Sequence, residues 1–130
     1  MLFAKRVFLC AGIVGILMLA PQYFMEAKVG HDFPPAITHP EFFYGFVGVA
    51  LAFQFIFLTI AQDPVRYRPM MLCGMIEKIS FGLAVPILYA LGRTNLTILI
   101  CSMLDLGWMC LFIAAYFATS PASLEKQKSL

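Results

Sequence analysis

Four near-continuous apolar segments constrain what this chain can fold into more than any other feature. They cover residues 7–24, 42–61, 70–91 and 96–119, and each is bounded by charge, Pro or Gly. Each segment is close to the ~20 residues that an α-helix needs to cross about 30 Å of hydrocarbon. The chain is 62% hydrophobic and 12% charged, against roughly 45–50% and about 25% in soluble domains. These proportions exclude an ordinary water-soluble globular protein.

The segments are predicted to be α-helices. Backbone N–H and C=O groups in lipid need protein partners, and the segments are too long and too uniformly apolar for the alternating strands of a barrel. Short connections, 62–69 and 92–95, join the last three segments and make them sequential antiparallel neighbours. We therefore expect one all-α integral membrane domain, an antiparallel bundle of four transmembrane helices with a left-handed supercoil.

Basic residues are divided unevenly between the two sides of the predicted bundle. One side carries six of them, Lys5, Arg6, Arg66, Arg68, Lys126 and Lys128, and the other side carries only Lys28 and Arg93. The positive-inside rule then places both termini, the loop 62–69 and the tail 120–130 in the cytoplasm, with the loop 25–41 outside. Arg66 and Arg68 are predicted to fix this topology and to contact anionic lipid headgroups.

The first segment has some features of a secretory signal, because Lys5 and Arg6 precede a short apolar core that ends near Pro21. No convincing small-x-small cleavage site follows, so we expect an uncleaved signal-anchor helix. No organelle address is recognisable, and the bacterial inner membrane is the expected location. The net charge of +2 gives no reason to expect nucleic-acid binding.

Three ionisable residues fall inside the predicted helices: Glu77, Lys78 and Asp105. Each costs ~2.5–3.5 kcal/mol to insert, so each needs a partner or a purpose. Folding the chain near residue 65 or 66 puts Gln54 level with Glu77 and predicts a hydrogen bond between them. Folding it at residues 93 and 94 puts Asp105 about four residues, or ~6 Å, outward of Lys78. Helical side chains lean toward their own N-termini, so a direct Lys78–Asp105 bridge is expected to be strained.

Asp105 and Trp108 are one turn apart on the fourth predicted helix. A carboxylate beside an indole face suits a lipophilic cation. In the alternative interpretation, Trp108 packs against a neighbouring helix and Asp105 bonds a nearby polar group or another subunit. Glu77 has the same two interpretations, a structural partner of Gln54 or a group for proton transfer and ligand capture. Lys78 is expected to neutralise a carboxylate or to extend toward headgroups.

Other polar groups are expected to be structural. His31, Asp32, His39 and Glu41 offer nitrogen and oxygen donors in the outer loop, but their spacing matches no zinc signature, so no metal site is expected. No histidine lies within a segment, which leaves a bis-histidine haem without ligands, and no cofactor is expected. The chain has no C-x-x-C pair, and its cysteines are expected to be apolar packing residues. Their positions are Cys10, Cys73, Cys101 and Cys110.

The layout of four helices, short loops and intramembrane acids resembles that of the small multidrug resistance exporters. Those exporters use a carboxylate in their first helix, whereas the first segment here has no ionisable residue after Arg6. Size and helix count are also similar to DoxX-like membrane proteins, with no shared motif. Likeness of layout transfers no residue roles.

Three classes of function follow. The first is an accessory or structural subunit that packs with other membrane chains or with itself, supported by the small size and by Gly12 and Gly15 in the first segment. The second is a binder or transporter of a small lipophilic or cationic molecule, in which protonation of an acid is coupled to ligand release. Its expected pocket is lined by Asp105, Trp108, Glu77 and Gln54. The third is an intramembrane enzyme that acts on a lipid-like substrate, with Glu77 and Asp105 as acid and base. The sequence supports this class least.

Overall fold

The computed structural model describes residues 1–122 and residue 125, and it is helical almost throughout. Five α-helices follow in order: α1 (Leu2–Leu19), α2 (Glu26–Asp32), α3 (Pro40–Gln62), α4 (Arg68–Ala90) and α5 (Leu96–Ala118). A 3-10 turn, Ala20–Phe24, continues α1. The described residues contain no strand. Most of the predicted tail, including Lys126 and Lys128, lies outside the described residues.

The prediction of four long apolar helices is confirmed. With its 3-10 turn α1 has 23 residues, as have α3, α4 and α5, and each is long and apolar enough to cross a membrane. At 1.5 Å per residue such a helix is about 34 Å long. The predicted bounds differ most at α1, which begins five residues early at Leu2. Lys5 and Arg6 interrupt the apolar pattern, but both are good helix formers and the first turn continues through them.

Local signals explain where the helices start and stop. Proline occupies the first turn of α3 and of α4, where its missing N–H costs nothing. The side chain of Asn95 accepts a hydrogen bond from the Ile98 N–H at 3.0 Å and so caps α5. Between α4 and α5, Gly92 has φ +67°, a conformation that glycine adopts without steric cost. The apolar pattern did not signal α2, a short polar helix whose Lys28 and Asp32 pair one turn apart.

The long helices associate in two pairs. The packing of α1 on α3 and of α4 on α5 is the most extensive, whereas α3 contacts α4 over a much smaller surface. In the first pair, Gly12 lies against Leu58 and Gly15 lies against Gln54. The missing side chains let the two backbones approach closely. The sequence order predicts α3 and α4 as close neighbours, but the glycines of α1 make it the main partner of α3.

One buried apolar cluster joins the two pairs. It brings the beginnings of α1 and α4 beside the ends of α3 and α5, and it contains Ala4, Val7, Phe8, Ala11, Phe57, Ile60, Ala61, Met71, Phe112 and Ala115. We call this the terminal end of the molecule, and we call the opposite end, which carries α2, the loop end. The core is therefore concentrated toward the terminal end.

Candidate functional site

Three charged side chains meet at the α4–α5 contact. The Nζ atom of Lys78 lies 3.2 Å from Oε2 of Glu77 and 3.0 Å from Oδ1 of Asp105. The three side chains are 9%, 18% and 23% exposed, in the order Lys78, Glu77, Asp105. We call them the charged cluster. One ammonium thus serves two carboxylates inside a helix assembly that is mostly apolar.

The expectation that a Lys78–Asp105 bridge is strained is wrong. A Cβ on Gly74 would lie 3.5 Å from the ring of Phe112, a contact that agrees with a fold of the chain near residue 93. Counted from this contact, Lys78 stands level with Trp108, about 4.5 Å along the axis from Asp105. The two helices therefore lie close to their predicted levels, and the prediction failed because it underestimated how far the lysine side chain reaches. The flexible four-carbon stem of lysine spans the offset.

Lys78 also lies against an aromatic ring. Its Nζ atom is 5.6 Å from the centroid of the Phe57 ring on α3, within the range of a cation–π attraction. This places α3 beside the charged cluster and gives the ammonium a contact that needs no hydrogen bond. The cluster is thus bounded by α4, α5 and an aromatic residue of α3.

Gln54 does not belong to the charged cluster, contrary to the prediction. Its Nε2 donates to the backbone oxygen of Ala50 at 2.8 Å, and its side-chain amide packs against Gly15. Gln54 and Glu77, both described in the structure, form no hydrogen bond with each other. The contact of Gly74 with Phe57 agrees with the predicted level of the two helices. The helix rotation is what differs, because Gln54 faces α1.

Trp108 makes the packing contact that one of its two interpretations predicted. It lies against the apolar cluster, with its ring 6.4 Å from that of Phe112. The binding of a cation at Trp108 stays a prediction, and the ammonium that lies near an aromatic face is that of Lys78, beside Phe57. Asp105 makes its ion pair with Lys78. The candidate site is therefore centred on Glu77, Lys78 and Asp105.

The charges of the cluster do not balance. With all three groups ionised, two carboxylates and one ammonium carry a net charge of −1. Oε2 of Glu77 is buried without a hydrogen bond from the described residues, although it lies within ion-pair distance of Lys78. A buried charge without full compensation is costly, so the cluster favours one more positive charge, a proton or a cation.

At the terminal end, Arg68 contacts Tyr116 of the same chain. Its Nε donates to the backbone oxygen of Tyr116 at 3.1 Å, and its guanidinium carbon lies 3.6 Å from the centroid of the Tyr116 ring. Arg66 is exposed and lies 5.5 Å from the Tyr67 ring centroid. The predicted lipid contact of both arginines stays a prediction, and Arg68 has a structural role that the sequence did not suggest.

In the connection 25–41 the two histidines form separate pairs. Nδ1 of His31 lies 3.1 Å from Asp32, and Nδ1 of His39 lies 3.2 Å from Glu41. In the part of the chain that the structure describes, no three His, Cys, Asp or Glu residues are grouped so that they could hold a metal. A hydrogen bond from Lys28, followed by one from His31, lowers the pKa of the Asp32 carboxyl below its ordinary value.

The aromatic residues around the charged cluster were missed by the sequence analysis. Phe57, Phe8 and Phe112 are fully buried, yet nothing in their local sequence distinguishes them from other phenylalanines. One signal was available. Across the predicted hairpins Gly74 is level with Phe57 and lies within one residue of the level of Phe112, so two large rings face one glycine.

Comparison with protein-family models, with curated proteins and with solved structures found no match. The function is therefore argued from the site alone.

Proposed function

We propose that the protein binds or transports a small lipophilic monovalent cation at the charged cluster, in exchange for a proton carried by Glu77. The observation that supports this most directly is the single Lys78 ammonium shared by two carboxylates, Glu77 at 3.2 Å and Asp105 at 3.0 Å. A neutral cluster would need no further ligand. This cluster has one carboxylate in excess.

Glu77 is the better candidate for the exchangeable charge. Asp105 joins α5 to Lys78 of α4, and this cross-helix pair holds the two helices together. Glu77 is adjacent to Lys78 on α4, so its pairing with the lysine joins no second helix. Protonation or cation binding at Glu77 would therefore neutralise the cluster while the cross-helix pair stays in place.

The same proposal includes the membrane arrangement. Four apolar helices are compatible with a multi-pass membrane protein. We propose an antiparallel four-helix bundle in a bacterial inner membrane, with the terminal end and both chain termini on the cytoplasmic side. The basic residues of the terminal end would then lie near anionic headgroups, where each contributes ~1 kcal/mol to membrane attraction.

Binding of tetraphenylphosphonium to the purified protein in detergent tests the exchange. We expect saturable binding by calorimetry, together with release of about one proton per bound cation in weakly buffered solution. Glu77→Gln should abolish the proton release and weaken binding by at least ~tenfold, equal to 1.4 kcal/mol. Asp105→Asn also removes the excess charge and should weaken binding.

Glu41→Gln is the matched control, because Glu41 is an exposed acid on α3 outside the cluster. It should bind tetraphenylphosphonium as the unmodified protein does. Equal affinity and equal proton release in the Glu77→Gln and Glu41→Gln proteins would refute the proposal.

A second candidate function, a subunit that packs with other copies or other chains, is supported by α5. In its most apolar stretch of 18 residues, 17% of the residues are buried, against 28% in the other three long helices. Small exposed residues, Gly107, Cys110 and Ala114, follow one face of it. Gly12 and Gly15 no longer support this candidate, because α3 of the same chain covers them.

Oxidative crosslinking in native membranes tests the second candidate. If α5 packs against another copy of itself, Cys110 should form a disulfide-linked dimer that Cys110→Ala abolishes. Cys10 on α1 is also exposed and serves as the comparison. Crosslinking through Cys10 alone, or no dimer at all, would remove α5 as a self-association face.

The enzyme alternative stays a prediction that the geometry does not test. Its expected acid and base, Glu77 and Asp105, both pair with Lys78.

A further inference from the structure

We infer that a phenylalanine barrier closes the charged cluster toward the terminal end, so that the exchanged cation and proton enter and leave from the loop end. The phenylalanine barrier consists of Phe8, Phe57 and Phe112. This inference rests on the proposed function and adds to it the direction of access.

The three rings of the barrier come from three helices and pack on one another. The centroids of Phe8 and Phe112 are 4.3 Å apart in a stacked arrangement. Phe57 meets Phe112 edge-on at 4.9 Å and lies 6.0 Å from Phe8. The fourth long helix completes the layer with Gly74, where a Cβ would lie 2.8 Å from the Phe57 ring. All four long helices therefore contribute to one continuous layer.

The barrier lies directly on the terminal side of the charged cluster. The Lys78 ammonium stands 5.6 Å from the Phe57 ring centroid, and none of the three rings is exposed. Beyond the rings, the apolar cluster continues with Ile60 and Met71, both fully buried. An ion moving from the cluster to the terminal end would have to cross this layer without water, and apolar constrictions of this kind block ions.

On the loop side of the charged cluster the buried side chains are smaller, among them Ala50, Val85 and Ser102. No residue of the connected apolar cluster lies beyond Lys78 in α4. Glu77 and Asp105 both retain some exposure. The structure thus closes one side of the charged cluster more completely than the other.

Cys101 provides a direct test of access to the charged cluster. It lies one turn from Asp105 toward the loop end, and its side chain is partly exposed. A protein with Cys101 as its single cysteine, the other three changed to Ala, is reconstituted in vesicles. A membrane-impermeant cationic methanethiosulfonate reagent is then applied to each side in turn.

We expect Cys101 to react from the loop side only. Tetraphenylphosphonium at ten times its Kd occupies about 90% of the sites and should slow this reaction about tenfold. Equal reaction of Cys101 from both sides, or reaction from the terminal side only, would overturn the inference. So would a Cys101 that reacts from neither side, since entry would then be lateral from the lipid.

Opening the barrier is a second test. Phe57→Ala and Phe112→Ala are expected to raise passive proton leak through reconstituted vesicles at least ~tenfold, because a dry apolar layer becomes a cavity. Phe55→Ala, on the exposed face of α3, is the control and should not leak. Leak at the control level from folded Phe57→Ala and Phe112→Ala proteins would contradict the inference. If these variants do not fold, the cysteine experiment still decides.

The two proposals fail in different ways. If Glu77→Gln has no effect on tetraphenylphosphonium binding, the exchange function fails whatever the cysteines do. If binding and proton release depend on Glu77 but Cys101 reacts from both sides, only the direction of access is wrong.

Discussion

Lys78 and Asp105 form an ion pair at 3.0 Å between α4 and α5, although their backbones are offset by almost one helical turn. The offset does not prevent the contact because lysine carries its charge on a long flexible stem. The pair has a consequence for assembly. It joins α4 to α5 where the Lys78 side chain is only 9% exposed, so loss of either partner leaves the other poorly compensated.

Lys78→Met is expected to reduce the free energy of unfolding by about 3–5 kcal/mol, since it leaves buried carboxylates without their counter-charge. Denaturation followed by circular dichroism in detergent measures the loss. Combining Lys78→Met with Asp105→Asn should recover part of it, because the double variant removes a stranded charge. Strictly additive losses in the double-mutant cycle would show that the two residues do not interact.

Gly15→Ala is expected to destabilise the α1–α3 contact by about 1–3 kcal/mol, because the new methyl group would overlap the side-chain amide of Gln54. Adding Gln54→Ala removes the overlap and should restore part of the stability. Gly107→Ala is the control, since no described atom outside its own stretch of α5 lies within 4 Å of the added carbon. Equal stability of the Gly15→Ala and Gly107→Ala proteins would contradict the close packing.

Arg68→Lys keeps the charge but loses the planar group that lies 3.6 Å from the Tyr116 ring centroid. We expect a loss of about 1–2 kcal/mol, from the stacking and the hydrogen bond to the Tyr116 carbonyl. Arg66→Lys, two residues before Arg68, should change stability by less than ~0.5 kcal/mol because this side chain is exposed. The prediction fails if both substitutions have the same effect.

The Asp32 carboxyl should titrate below 3.8 in the folded protein, because Lys28 and His31 stabilise its charged form. Its folded-state pKa is lowered, so its contribution to stability is present above the unfolded pKa and is lost as the pH falls through the folded value. Carbon-detected NMR of the side chain measures the midpoint. Lys28→Gln should move it up toward 3.8, whereas Lys5→Gln, on α1 at the terminal end, should not. An unchanged midpoint in Lys28→Gln would exclude the pair as the cause.

Membrane orientation is tested with fusions at the two ends of the molecule. Green fluorescent protein at the C-terminus should fluoresce, and alkaline phosphatase joined within the 25–41 connection should be active, because the positive-inside rule places them on opposite sides. The reverse pattern would invert the proposed topology and with it the side from which the charged cluster is reached.

The level of each site residue along the helix axes was largely predictable. Gln54 is level with Glu77 and Gly74 lies within one residue of the level of Phe112, as the short connections require. What could not be predicted is rotation about each helix axis. Gln54 and Glu77 share a depth but face different neighbours, because Gly12 and Gly15 draw α1 onto the face of α3 that carries Gln54.

The sequence by itself determined the four long helices, their approximate bounds and the positions of Glu77, Lys78 and Asp105 along them. These follow from local quantities, namely apolar length, the positions of proline and glycine, and the fixed rise per residue of a helix. Only the tertiary structure decided which helices pair, that Lys78 joins two carboxylates, and that Phe8, Phe57 and Phe112 meet beside them. The reason is physical. Pairing and rotation of the helices depend on close packing among side chains that are distant in sequence. When a helix is apolar on every face, the apolar periodicity does not indicate which face packs against which neighbour.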